Sequence, residues 1–264
     1  MALAFQLCLL RRVLGFVLVI DRHSNFKFNL TAGLKWRLFQ WVSRFTVRHA
    51  DLTIVTNKQL REVVEAWGGC SFVLQDKLPD LPLARRIELP GEKNIVVIST
   101  FADDEPISEV LDAAAMLPAR FVVHITGNSK GYPRQEQLAV LPRNVRLTSF
   151  LPEADYQSLL ISADVIVVLT CQDHTLTCGA YESVALGRPS VLSDTVAIRE
   201  YFAAGAVYTL PTAEGIREAI MEALLRESIL EIEVAELRGR LVEAWERRFE
   251  ELQRKILALL MTGR

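Results

Sequence analysis

Polar residues of the kind that hold a phosphorylated ligand crowd into one stretch, Ala163 to Phe202, where Asp173, His174, Thr175, Thr177, Cys178, Gly179 and Glu182 follow closely on one another. A carboxylate accepts two hydrogen bonds at once, an imidazole can donate to a hydroxyl or a phosphate oxygen, and threonines do either. The flanking residues position them. Asp164 to Leu169 is apolar, β-branched and too short for a buried helix, which predicts a central parallel strand. Gly179 opens a helical pattern over Ala180 to Leu186 that Gly187 and Pro189 stop, and Ser190 to Leu192 predicts the next strand. This βαβ unit sets the Asp173 to Gly179 loop outside the carboxyl end of a strand. A helix N-terminus there offers N–H groups and a positive partial charge to phosphate.

A second polar run, Asp21-Arg22-His23-Ser24-Asn25, follows a predicted strand at Phe16 to Ile20 and would also project from the carboxyl end of a sheet. The competing reading makes Asp21 or Ser24 the cap of the next helix.

The elements around these two runs alternate. A helix is predicted over Leu3 to Leu14, another over Lys35 to His49, a strand at Leu52 to Val55, a helix at Lys58 to Trp67 and a strand at Ser71 to Leu74. Residues 76 to 93 hold three prolines and little periodicity, which reads as a linker. Beyond them come strands at Asn94 to Ile98, Phe121 to Ile125 and Val145 to Leu147, interleaved with helices at Ile107 to Met116 and Ala154 to Ser162. A helix at Val196 to Ala203, a strand at Val207 to Leu210 and a helix at Ala213 to Leu225 follow the opening unit. Such alternation predicts a doubly wound parallel sheet. The expected division is 1–78 for an N-terminal domain, 79–93 for the linker, 94–226 for a ligand-binding domain and 227–264 for C-terminal helices. In that tail Leu230, Val234, Leu237, Leu241, Trp245, Phe249, Leu252 and Ile256 keep one amphipathic face, with a break expected near Gly239 or Trp245. The last segment is expected to pack on the N-terminal domain; a coiled-coil dimer is the alternative, against which the spacing is no clean heptad.

Half of the 264 residues are apolar and 23% are charged, which excludes a disordered chain. The net charge of −2 hides a basic front: residues 1–62 carry ten Lys or Arg against Asp21, Asp51 and Glu62. Arg37, Arg44 and Arg48 line one face of a helix whose other face is apolar, a pattern that suits peripheral contact with an anionic membrane as well as an ordinary solvated face. No nucleic-acid motif accompanies the charge. Arg11 and Arg12 interrupt the apolar Met1 to Ile20 and speak against both a signal peptide and a membrane span. Cys8, Cys70, Cys171 and Cys178 have neither a CxxC pair nor zinc spacing, and read as reduced thiols of a cytoplasmic protein.

YESVALGRPSVLSD, residues 181–194, resembles the ExxAxGxPVxxS run in the donor site of retaining glycosyltransferases of family 4, which carry an E-x7-E pattern. Glu182 matches the second acid, whereas the position eight residues earlier is His174. VIDRHSNF, HADLTIVTN and VLQDKLPD are similar to the β-1,4-mannosyltransferase branch of lipid-linked oligosaccharide synthesis, with fewer strands in front than such enzymes have. The resemblance implies an α/β protein of GT-B fold: two Rossmann-like parallel-sheet domains facing a cleft, the N-terminal one incomplete.

It also implies roles. Glu182 would bond the ribose hydroxyls of a UDP- or GDP-sugar. Thr177, Cys178, Gly179 and Ala180 would offer N–H groups to the diphosphate, with Gly179 letting it come close, and Asp173 would sit beside them. Gly127 and Asn128 end another strand on the same edge, and Lys130 or Arg134 would neutralise diphosphate charge. His174 would donate to the sugar or a phosphate oxygen, while Asp21 and His23 orient the acceptor hydroxyl of a glycan or lipid-linked acceptor. Neither a cofactor nor a metal is expected, although Asp103-Asp104 imitates a metal-binding pair. The implied reaction is hexosyl transfer with retention in polysaccharide or glycolipid synthesis. The alternatives are a non-catalytic nucleotide-sugar-binding or partner subunit and a sugar-nucleotide epimerase.

Overall fold

The computed structural model describes residues 2–23 and 33–261. The chain divides into two compact units, Met1–Lys77 with Val242–Arg264, and Leu78–Leu241.

The first unit is built on a parallel sheet of order β1-β2-β3, with β1 at Val19–Arg22, β2 at Leu52–Val55 and β3 at Ser71–Val73. Helix α1 (Ala2–Leu14) precedes it, and α2 (Leu34–His49) and α3 (Lys58–Ala66) connect its strands. β1 starts three residues later than the expected strand, so Asp21 and Arg22 lie inside it, with Asp21 paired with Ile54, and among the described residues of that run His23 alone follows it. The reason is Asp51, whose carboxylate accepts from the Leu18 N–H at 2.8 Å and pairs with Arg11, fixing where the strand begins. Helix α2 begins after Gly33, so Asp21 is not its cap; Ser24 and Asn25 lie outside the described residues.

The second unit carries six parallel strands: β4 (Lys93–Val97), β5 (Phe121–Thr126), β6 (Val145–Ser149), β7 (Val165–Val168), β8 (Ser190–Ser193) and β9 (Ala206–Thr209). Their order is β6-β5-β4-β7-β8-β9, the doubly wound arrangement in which the chain starts in the middle and winds outward both ways. Because side chains alternate along a strand, Ile95, Val97, Val123, Val165 and Val167 enter one core with α4 (Ile107–Ala115) and α9 (Ala213–Leu225), while Val96, Ile166, Val168 and Leu192 enter another. The second core receives α6 (Glu153–Ser162), α7 (Cys178–Leu186) and α8 (Val196–Tyr201). A short α5 (Gln135–Ala139) between β5 and β6 has no periodic signal in the sequence.

The prolines of 78–92 keep that stretch free of helix and strand, yet it is tied down along α6. The N–H groups of Leu83 and Ile87 donate to Gln157 Oε1 and Ser162 Oγ, each at 2.8 Å. The tail departs from expectation, because Glu227–Met261 is one unbroken helix, α10, of 35 residues. Gly239 lowers helix propensity by about 1 kcal/mol, too little to break a helix whose two halves are both anchored by packing. Leu230, Val234, Leu237 and Leu241 enter the cores of the second unit, and Leu252 joins Leu52 and Phe72 in the first, where Trp245 Nε1 donates to the Gln75 carbonyl at 3.0 Å. Among the described residues no helix is long and apolar enough to cross a membrane.

Candidate functional site

In the second unit the winding direction reverses between β4 and β7, and the segments leaving these strands diverge. Ligands of such sheets bind in the crevice that results. Its walls are fixed by carboxylates. Glu105 turns back on the loop after β4, accepting from Ser99 Oγ at 2.6 Å, from Thr100 Oγ1 at 2.9 Å and from the N–H groups of Thr100 and Ala102 at 3.0 and 3.3 Å. It satisfies donors that a tight loop leaves without partners, and so holds Phe101 at φ 58° with its buried ring against Tyr132. Asp104 reaches the other side of the reversal, where its Oδ2 accepts from Thr170 Oγ1 and its carbonyl from the Cys171 N–H, both at 2.7 Å. Asp104, half of the pair that imitates a metal motif, thus braces a loop.

A cavity of about 320 Å³ opens beside Ser99 and Thr100. Thr126 at the end of β5 and Gly127 after it, Phe150 and Leu151 after β6, Tyr156 on α6, and Cys178, Gly179 and Glu182 on α7 complete much of its lining. Gly127 has φ 97°, and a Cβ there would stand 2.2 Å from the Ser99 carbonyl, so only glycine lets the two loops meet. The register shift of β5 on β6 at Thr126 bends the sheet edge here, and Ser149 has φ 57°.

Glu182 is half-buried, and its Oε2 accepts from the Tyr156 hydroxyl at 2.6 Å. Burial raises its carboxyl above the ordinary value, the Tyr156 hydrogen bond opposes this, and Glu153 nearby adds to it. Burial likewise pushes the Tyr156 hydroxyl upward, reinforced by the Glu182 charge. The Tyr156 hydroxyl is thus the donor and Glu182 Oε2 the acceptor, and both residues line the cavity.

Of the residues expected in the donor site, the structure brings Gly127, Cys178, Gly179 and Glu182 to this cavity. Thr177 precedes α7 without making a side-chain cap, and its Oγ1 is buried without a hydrogen-bond partner. Ala180, Gly179 and Asn128 have local packing or hydrogen-bond roles of their own. The Ala180 N–H donates to the Thr177 carbonyl at 3.0 Å, as the first turn tightens, and is engaged within the helix. Gly179 is small for packing, since a Cβ there would press on Ile98 and Val168 side chains at 3.0 Å. Asn128 Oδ1 accepts from the Lys130 N–H at 3.1 Å and caps a 3-10 turn at Ser129–Gly131, with Asn128 and Lys130 both exposed and outside the lining. Asp173 is exposed and His174 half-buried in the loop before α7, and neither is in the lining. Arg134 borders a separate cavity of about 400 Å³ on the far side of the Glu105 loop.

Asp21 and His23 belong to the first unit. His23 Nε2 meets Asp21 and its Nδ1 meets Asp76, each at 2.8 Å. Two carboxylates can be answered only by a ring protonated on both nitrogens. Burial disfavours that charge, but the two acids together outweigh it and His23 is raised above its ordinary value. Asp76, Tyr156, Asp104 and Glu105 escape the sequence reading. Only the acidic pair gave a signal, as a possible metal motif, while Tyr156 stands 26 residues from Glu182 with no spacing rule to join them.

Residues 92–226 match the sequence family described as glycosyl transferases group 1. No curated protein sequence matches the chain. Among solved structures, sucrose-phosphate synthase of Thermosynechococcus elongatus superposes with a TM-score of 0.76 at 20% identity, over 95% of this chain and 70% of that one. HepE of Anabaena, in complex with UDP and glucose, gives 0.77 at 13% identity, over 93% and 74%. The UDP-forming trehalose-phosphate synthase of Burkholderia vietnamiensis gives 0.68 at 14%, over 94% and 68%. These likenesses establish the fold, and the two parallel-sheet units are those of the GT-B class.

Proposed function

Because the chain belongs to the glycosyl transferases group 1 family, we propose that it moves a hexose from a UDP- or GDP-sugar to a glycan or lipid-linked acceptor with retention, in cell-surface polysaccharide or glycolipid synthesis. The observation that carries this reading is the cavity at the winding reversal with the Glu182 carboxylate in its wall. A half-buried carboxylate with one oxygen already bonded suits a neutral hydroxyl donor such as ribose, and the exposed Phe150 ring at the same cavity suits a planar base. The complexes of HepE with UDP-glucose and with UDP favour a UDP-hexose as the first candidate.

In this reading the first turn of α7, at Cys178 and Gly179, faces the diphosphate, where the positive end of a helix stabilises charge on the leaving group. His174 in the preceding loop donates to the sugar or to a phosphate oxygen. Asp21 and His23 are the groups proposed for the acceptor. Retention then follows from a front-face displacement, in which the leaving diphosphate takes the acceptor proton and positioning supplies most of the acceleration. Contact with the cytosolic face of a membrane is proposed for the first unit, whose α1 and α2 contain no acidic residue and leave Leu10, Leu14, Leu38 and Trp41 exposed.

Calorimetry with UDP, GDP and their hexoses tests the assignment, with wild type set against Glu182→Ala. Binding of one nucleotide that the substitution weakens at least tenfold is expected, the loss of a hydrogen bond to a charged group being about 1.5–3 kcal/mol. A folded protein that binds none of them would sink the transferase reading.

A further inference from the structure

We infer that Tyr156 is a positioning and specificity residue, which with Glu182 forms a two-oxygen reader for the ribose diol of the nucleotide. This rests on the nucleotide-sugar reading of the cavity. Glu182 alone has four lone-pair directions and a flexible side chain, and it can answer a ribose, a deoxyribose with water, or no sugar at all. Tyr156 removes that freedom. Its hydroxyl gives its only proton to Glu182 Oε2 at 2.6 Å, which clamps the carboxylate and leaves Oε1 as the acceptor for one hydroxyl. The phenolic oxygen itself keeps acceptor capacity, so a second hydroxyl on the adjacent carbon finds a partner there.

Both residues line the same cavity and are carried by different helices, α6 and α7. The ring of Tyr156 packs against the second core of the unit, which makes its hydroxyl a rigid reference point. Glu153, on the turn of α6 preceding Tyr156, is held by Gln157 Nε2 at 2.7 Å and adds negative charge beside the pair. Every oxygen offered to the ligand is an acceptor and the pair's one proton is already used. Such a site favours a group that brings two donors of its own, and a sugar that lacks one of them leaves a buried acceptor unmatched.

The test measures affinities of UDP and GDP and of their 2′-deoxy and 3′-deoxy forms, for wild type, Tyr156→Phe, Glu182→Gln and the double variant. Wild type should prefer the ribonucleotide over at least one deoxy form by about tenfold to a hundredfold. Tyr156→Phe should shrink that preference to about threefold or less, and should add nothing in the Glu182→Gln background. The preference is a ratio within one preparation, so it is independent of how much protein folds, and Phe keeps the ring in its core. Equal weakening of ribo and deoxy forms by Tyr156→Phe, or a further loss in the double variant, would assign Tyr156 a purely structural part and overturn the inference. Wild type that binds nucleotides with no ribose preference would also overturn it while leaving the donor site standing. No nucleotide binding at all would remove both.

Discussion

The two units end their parallel sheets in opposite ways. In the larger one, six strands are covered on both faces, and the polar groups at the carboxyl edge bond one another in partly dry surroundings: Glu105 to its loop, Asp104 to Thr170, and Thr170 to Ser193. In the smaller one, three strands support compact clusters around Val55 and Leu52, and the edge groups Asp21, His23 and Asp76 pair in open water, with His23 48% exposed. The same kinds of contact therefore differ in weight. A hydrogen bond or ion pair shielded from solvent is costly to break, whereas an exposed one contributes little. The larger unit should present a site already in shape, and the smaller one should yield to its surroundings.

Arg188→Ala should break this contrast most severely. The guanidinium is 3% exposed and ties α10 to the amino end of the sheet through Glu231 at 2.6 Å, the Asp164 carbonyl at 3.3 Å and Glu227 at 3.6 Å. Removing one partner of a buried pair leaves charges unanswered, and a loss of about 3 kcal/mol in urea unfolding is expected. A change under about 1 kcal/mol would mean that the larger unit is no better fixed than the smaller.

Glu105→Ala comes next. It strips acceptors from Ser99 Oγ and from the N–H groups of Thr100 and Ala102, and should destabilise the chain by about 1–2 kcal/mol. Amide exchange of the Ser99 to Ala102 segment should quicken, and nucleotide affinity should fall although the residue is outside the proposed binding cavity. Unchanged exchange in that loop would contradict the brace.

The smallest effect belongs to His23. Its value in the folded chain lies above the ordinary 6.5, so its ion pairs stabilise fully below that pH and lose their contribution as pH rises through the folded value. Because Asp21 and His23 are exposed and Asp76 is only half-buried, the change should stay under about 1 kcal/mol, and His23→Gln should flatten it. A larger pH dependence removed by that substitution would show the smaller unit's edge to be as dry as the larger one's.

Much of this organisation is written in local patterns. β-branched runs of four to six residues announce β2, β5 and β7, and asparagine or threonine caps such as Asn57 and Thr212 mark helix starts. The same locality explains the failures. Gly239 and Trp245 look like a break because the propensity of a short window ignores the cores that hold each half of α10. The turn at Asn128 to Lys130 reads the same in sequence whether or not it caps itself, so the Asn128 cap on Lys130 was visible only in the structure.

The place of Glu182 on α7 was legible, since its run of small and apolar residues with a Gly-x-Pro stop marks one helix and the strand that follows. The order of the six strands, the Asp104 bridge to Thr170 across 66 residues and the Tyr156 hydroxyl on Glu182 were decided only by the tertiary structure. Periodicity encodes which face of an element turns inward, because that depends on neighbours three, four or two positions away. It carries no record of which element arrives opposite, and a hydrogen bond exists only where two elements bring donor and acceptor within about 3 Å.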